Sequence, residues 1–157
     1  MTFTQHFDSF ACEGDTIQCD AQGFTVTARI VRDDCSDRPD ERQDGFWPSL
    51  DIGDPGFIGA GRQPRQRYDA ALKQAEAVMQ AWKTDEWFYC GIMLSVRVDD
   101  ILIAPHAASL WGIEVNYPGS DNAYLTQVAN ELLTDALITG REAAQRLAMT
   151  LKPWAAT

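Results

Sequence analysis

WFYCGIMLSVRVDDILIAPHAASLWGIEV, residues 87–115, is the stretch that decides the fold of this chain. The near-continuous apolar run from Trp87 to Val98 predicts a strand that is covered on both faces or lies at the centre of the sheet. Two aspartates then predict a turn into a second strand over residues 101–104, and a third strand over residues 109–115 follows Pro105. The stretch therefore predicts a three-strand meander.

The sequence on both sides of the meander adds one hairpin and three helices. Residues 16–20 and 24–32 predict two paired strands, because apolar and polar residues alternate in the second run. Thr139 and Glu142 have the spacing of a capping box, which predicts a helix start between two C-terminal helices. Apolar residues at three- and four-residue steps predict helices over residues 67–83, from Ser120 or Asp121 to 137, and over 139–151.

The order of these elements predicts an α+β fold. Strands followed by helices, in the order ββ, loop, α, βββ, αα, indicate an antiparallel sheet of about five strands with helices packed mainly on one face. A chain of 157 residues has the usual size of one domain, so we expect a single domain over residues 1–157. Residues 33–66 form a long acidic loop rich in Gly and Pro, and loops of this length are usually functional or mobile.

The N-terminus and the cysteines indicate the compartment. Residues 1–15 contain no Lys or Arg and no apolar run of a secretory signal, and no segment is apolar enough to span a membrane. We therefore expect a cytoplasmic protein without a membrane partner. The four cysteines form no C-x-x-C pair, only two histidines are present, and no calcium-binding loop pattern occurs, so we expect no metal and no cofactor.

The formal net charge of -10 argues against direct nucleic-acid binding, which requires a basic face. The charge is uneven: residues 1–61 carry -8, residues 62–83 carry +3, residues 84–137 carry -7 and residues 138–157 carry +2. The densest acidic segment lies between residues 33 and 44. Carboxylates spaced along a loop resemble the phosphates of a nucleic-acid strand and attract a basic protein surface. The alternative is that they only keep the protein soluble and monomeric.

An aromatic residue follows the acidic segment directly. Trp47 offers an anchor for a protein partner, because buried aromatic side chains supply most of the affinity of an interface and charges supply steering. The alternative is that Trp47 pins the long loop to the core. The residues predicted to bind a partner are Asp33, Asp34, Asp37, Asp40, Glu41, Asp44 and Trp47.

No catalytic residues are predicted, because no nucleophile has a recognisable base and no phosphate-binding glycine motif is present. Two alternatives stay open. The first is a small enzyme or ligand-binding module with a site near Cys90, His106 and the glycine-rich loop. The second is a homodimeric accessory protein whose exposed aromatic residues pack against another copy.

Five segments resemble a group of small acidic proteins of unassigned function. These proteins are encoded on plasmids, phages and integrative elements of proteobacteria. The resemblance implies a mobile-element context, in which accessory genes frequently encode anti-CRISPR or anti-restriction proteins, and it brings no defined site residues. The segments are ACEGDTI (11–17), GFTVTARIVRDD (23–34), FWPSLD (46–51), EWFYCGI (86–92) and ASLWGIEVNYPGSDNAYLTQVANELL (108–133).

Together these observations predict a non-enzymatic inhibitor of a host defence system that targets nucleic acids. The expected partner is the basic surface of a nuclease or of a CRISPR effector complex. The inhibitor would occupy that surface with an acidic, DNA-mimicking face formed by residues 33–44.

Overall fold

A computed structural model describes residues 1–155 and contains one four-stranded antiparallel sheet. The strands follow one another in space as they do in sequence, so each pairs with its neighbour in the chain. This sheet and its helices confirm the α+β class. The strands are β1 (Thr16–Ala21), β2 (Phe24–Arg32), β3 (Phe88–Val98) and β4 (Ile101–Val115).

Strand β3 is the inner strand with the most regular burial. Side chains alternate between the two faces of a strand, and the even-numbered residues of β3 from Phe88 to Val96 lie in the main core. Residues of β2 that pair with them, such as Ile30 opposite Ile92, lie in the same core. The apolar run therefore identified β3 correctly as a strand with a central position in the sheet.

A long helix, α3 (Ala123–Ala155), covers this core face. It begins shortly after β4, and along its length Gly140 lies against Val96, near the end of β3. A Cβ atom at Gly140 would lie 2.8 Å from Val96 Cγ1, so the missing side chain lets the helix approach the sheet closely. Among the described residues, no helix combines the length and apolar character needed to cross a membrane.

The prediction of about five strands was wrong by one strand, because β4 continues through Pro105 where we expected a break. Pro105 is tolerated because β4 is an edge strand and because the pairing shifts register between Leu94 and Val96, opposite this segment. The predicted strands over 101–104 and 109–115 are therefore the two halves of β4, and the meander has two strands instead of three.

The prediction of two C-terminal helices was also wrong. The capping-box spacing at Thr139 lies inside α3, which continues without interruption to Ala155. Gly140 is buried against the sheet there and does not end a helix. Packing of the helix on the core face overrides the weak helix propensity of glycine.

Two further helices lie between β2 and β3. Helix α1 (Pro39–Arg42) is a single turn within the long loop, and α2 (Pro64–Lys83) starts three residues before the predicted position. Val78 of α2 packs with Trp87 and Tyr89 in a second, smaller cluster. Because Tyr89 points away from the face of Phe88 and Cys90, α2 lies on the side of the sheet opposite α3. The expectation of helices mainly on one face therefore holds for α3 only.

The N-terminal segment, residues 1–15, has no helix or strand and is held by side chains of α3 and of the loop before it. The backbone N–H of Phe3 donates to Asn130 Oδ1 at 2.7 Å, and that of Phe7 donates to Thr126 Oγ1 at 3.1 Å. The fully buried Asn122 donates from Nδ2 to the backbone carbonyls of Asp8 and Ser9. These hydrogen bonds satisfy backbone groups that the segment cannot pair with itself.

Gly140→Ala tests the close approach of α3 to the sheet. At an exposed helix position this change gains about 1 kcal/mol, but here the added methyl group meets Val96, and overpacking costs about 1–3 kcal/mol. We expect a net loss of about 1 kcal/mol in the free energy of unfolding, measured by urea denaturation. In a Val96→Ala background the same change should become stabilising, and a gain in the unaltered background would contradict the packing.

Candidate partner-binding surface

The long loop, residues 33–63, is fixed to the sheet at its first residue. The carboxylate of Asp33 accepts hydrogen bonds from the backbone N–H of Cys35, from Ser36 Oγ and from the backbone N–H of Gly112 in β4. Partial burial acts to raise the pKa of Asp33, but these hydrogen bonds outweigh it and hold the pKa below its ordinary value. The carboxylate of Asp33, which was predicted to bind a partner, therefore attaches the loop to β4.

Arg42, at the end of α1, makes a second attachment. Its guanidinium carbon lies 4.3 Å from the centre of the Tyr89 ring, and Nη2 donates to the Gly112 carbonyl at 2.5 Å. Gly112 has a positive φ of 74° and leaves room for the arginine, because a Cβ atom there would lie 2.6 Å from Nη2. The cation–π contact and the hydrogen bond place α1 against the outer face of the sheet.

Asp40 and Trp47 form a third contact, inside the loop. Oδ2 of Asp40 accepts from Arg38 Nη2 at 3.3 Å and from Trp47 Nε1 at 3.4 Å. Trp47 packs edge to face against Phe46 but keeps 39% of its surface exposed. Trp47 therefore makes a contact that orders the loop and also exposes an aromatic surface. The structure is compatible both with a partner anchor and with a residue that holds the loop in place.

The other four predicted carboxylates point into solvent. Together with Trp47 they form what we call the acidic surface. In the described part of the chain no ion pair within 4.0 Å involves any of these four side chains, whereas Asp40 is paired with Arg38. The acidic surface therefore has uncompensated charge. Its four carboxylates are those of Asp34, Asp37, Glu41 and Asp44.

A hollow of about 330 Å³ opens beside Trp47. One carboxylate oxygen of Asp40, Oδ1, is buried and has no hydrogen-bond partner. A buried carboxylate oxygen without a donor is costly, and a cationic side chain is the group that satisfies it best. The hollow is lined by carboxylates and aromatic rings, among them Asp40, Asp44, Phe46, Trp47 and Asp54.

Trp111 extends this surface and was not among the residues predicted to bind a partner. It lies over Gly91 of β3, where any side chain would occupy the space of the indole ring, and 46% of its surface is exposed. A groove of about 490 Å³ runs between Trp111 and Asp34. The signal in the sequence is Gly91 within an otherwise apolar strand, which marks a position where another group approaches closely.

The alternative site near Cys90 and His106 is not assembled. Cys90 is fully buried in the main core, and burial raises the pKa of its thiol to about 12, so the thiol stays protonated at neutral pH. His106 is exposed and contacts Met93 Sδ, on the face of β3 opposite Cys90. The two side chains therefore cannot act together as nucleophile and base.

The glycine-rich loop serves close packing between its own segments. A Cβ atom on Gly56 would overlap the carbonyl oxygen of Trp47, and one on Gly45 would lie 2.9 Å from that of Pro55. Arg67 donates to the backbone carbonyls of Ala60 and Arg62, so this arginine completes the loop. Among the described residues, no three His, Cys, Asp or Glu side chains are grouped to hold a metal ion.

Asp33→Asn tests the attachment of the loop. A carboxylate with a lowered pKa in the folded protein stabilises it above the ordinary pKa of 3.8, and this contribution is lost as the pH falls through the lower folded value. At pH 7 we expect a loss of about 1 kcal/mol, at the low end for charged hydrogen bonds because the group is partly exposed. Urea denaturation between pH 7 and pH 2.5 measures the loss in the free energy of unfolding and its decrease toward low pH. Asp34→Asn is the matched control, and an equal loss in both variants would contradict the assignment.

Comparison of the chain with protein-family models, with curated proteins and with solved structures gives no match. The resemblance to small acidic mobile-element proteins therefore stays a prediction. The function is argued below from the residues of the acidic surface and from the fold that positions them.

Proposed function

We propose that this protein is a non-enzymatic inhibitor of a host system that targets nucleic acids, of the anti-CRISPR or anti-restriction type. In this proposal the acidic surface occupies a basic groove of a nuclease or CRISPR effector complex. The observation that carries the proposal is the group of four solvent-facing carboxylates, which form no ion pair among residues 1–155, together with the exposed Trp47 and Trp111 beside Asp44 and Asp34. Such a surface supplies both the charge and the apolar anchors of a protein interface.

Charge complementarity supports a basic partner. A groove that binds DNA or RNA is lined by Lys and Arg, and carboxylates on a loop are attracted to it as phosphates are. Steering by uncompensated charge raises the association rate and lets the inhibitor compete with nucleic acid. A partner that binds mainly through apolar contacts would not need four unpaired carboxylates.

The attachments of the loop support binding without a large ordering cost. Asp33 and Arg42 both bond to Gly112, and Asp40 bonds to Trp47, so the backbone that carries the acidic surface is fixed before a partner arrives. A loop that is ordered in the free protein loses less conformational entropy on binding than a disordered one. The long irregular segment is consistent with a binding loop on a rigid sheet.

The hollow beside Trp47 supports a specific contact within this surface. A partner's Arg or Lys side chain placed there would meet the carboxylates that line the hollow, among them Asp44 and Asp54, and would stack on an aromatic ring. Arg is the better fit, because a planar guanidinium can bond to a carboxylate and stack at the same time.

Charge reversal of the four carboxylates tests the proposal. We expect the variant Asp34→Lys, Asp37→Lys, Glu41→Lys, Asp44→Lys to lose at least about 100-fold in inhibition of its target. The measurement is DNA binding and cleavage by a panel of purified restriction nucleases and CRISPR effector complexes, with the unaltered protein added in excess. The matched control reverses four exposed carboxylates elsewhere, Asp8, Asp69, Glu76 and Asp135.

The control makes the same change in net charge. An equal loss of inhibition in both variants would therefore show that net charge, and not the acidic surface, causes the inhibition. Inhibition by the unaltered protein should weaken as salt is raised from about 50 to 500 mM, because exposed charges are screened. If no member of the panel loses DNA binding, the proposal fails, and the alternative that the acidity only maintains solubility gains support.

A further inference from the structure

The last part of α3 leaves the body of the protein. Every side chain from Gln145 to Ala155 is exposed, although the helix continues through this segment, with Pro153 inside its last turn. Gly140 lies over Val96, two residues before the end of β3, so the following turns pass the end of the sheet. We call residues 145–155 the overhang. At 1.5 Å per residue it extends about 16 Å.

The overhang carries an apolar stripe that continues the buried stripe of α3. Ala136, Gly140 and Ala143 face the core, and the same steps of three and four residues lead on to Leu147, Leu151 and Trp154. Trp154 is 80% exposed. This face of α3 is buried for about five turns and then continues into solvent with Leu and Trp side chains. Such an exposed apolar stripe indicates a surface to which another molecule binds.

The sheet end beneath the overhang is also apolar and exposed. Ile101 and Leu102, the first residues of β4, are 66% and 43% exposed. The turn before them consists of Asp99 and Asp100, whereas the overhang carries two basic residues. One end of the molecule therefore contains a basic apolar stripe and an acidic apolar sheet end, which are complementary in charge.

We propose that the overhang packs against the overhang and the sheet end of a second copy of this chain, in a two-fold symmetric dimer. An isologous interface needs both complementary parts on the same surface of each protomer, and this end of the molecule has both. Arg146 lies on one flank of the stripe and Lys152 lies further round the helix on the other side. Their long side chains can then reach toward Asp99 and Asp100 of the other copy. An anionic membrane is a poorer occupant, because the acidic turn and the net charge of -10 are repelled by its headgroups.

The mass in solution tests this inference. Light scattering and sedimentation equilibrium should give twice the chain mass of 17.5 kDa for the unaltered protein. Leu147→Glu with Leu151→Glu should weaken the dimer by about 100-fold or more, because two buried apolar side chains are lost from each helix. Since both side chains are exposed in one protomer, the variant should keep its helix content by circular dichroism. Met149→Glu is the matched control, since Met149 is 77% exposed on the opposite side of the helix.

A charge exchange tests the assigned contact directly. The variant Arg146→Glu, Lys152→Glu and the variant Asp99→Lys, Asp100→Lys should each be mainly monomeric, because like charges then meet across the interface. Mixed together they should form a heterodimer, since the acidic overhang of the first variant then meets the basic sheet end of the second, and the basic overhang of the second meets the acidic sheet end of the first. This restoration separates the proposed contact from a general effect of charge.

Several results would overturn the inference. One is a monomer of the unaltered protein at all concentrations up to roughly 100 μM, well above the dissociation constants of stable complexes. A second is a dimer that Met149→Glu weakens as much as the stripe variant does. A third is a monomer that binds phosphatidylserine vesicles with a blue shift in Trp154 fluorescence, which would assign the overhang to a membrane. None of these results bears on inhibition through the acidic surface.

Discussion

Strand β3 is buried on one face and contacts Arg42 and Trp111 on the other, and the positions of α3 and of the long loop depend on this strand. Its even-numbered side chains hold α3 against the sheet, with Val96 setting the closest approach at Gly140. Its odd-numbered residues contact the elements on the opposite face of the sheet. The guanidinium of Arg42 packs on the Tyr89 ring, and the Trp111 ring lies against Gly91. The acidic surface and the overhang are therefore placed by opposite faces and opposite ends of the same strand. A change that rotates β3 would displace both.

The sequence predicted those elements whose pattern is decided by burial alone. Alternation in β2 and the apolar run of β3 each have one physical explanation, and both strands are found where they were expected. Pro105 and Gly140 were misread because the effect of each depends on a neighbour distant in sequence. A proline is tolerated in a strand that has no partner on one side, and a glycine persists in a helix that must approach a sheet. Edge position and interlayer distance are properties of the assembled fold.

The acidic surface was predictable as a region but not residue by residue. Six carboxylates between Asp33 and Asp44 have similar sequence surroundings, yet Asp33 bonds to Gly112, which is 79 positions away. Asp40 accepts a hydrogen bond from Nε1 of Trp47, which lies in the same loop. The spacing of charges cannot distinguish a carboxylate that is satisfied inside the protein from one that faces solvent. Trp111 was missed for a similar reason, because its exposure follows from the glycine on the neighbouring strand.

The attachment of the N-terminal segment has a consequence for the order of folding. The sheet is a meander of neighbouring strands, so its contacts can form while the chain is still being synthesised. The hydrogen bond from Phe3 to Asn130, in contrast, joins residues 127 positions apart. Residues 1–15 are thus synthesised before the helix that holds them, and the hydrogen bonds of Phe3 and Phe7 to Asn130 and Thr126 can form only once that part of α3 is present. This late contact completes the main core, to which Phe3 and Phe7 both belong.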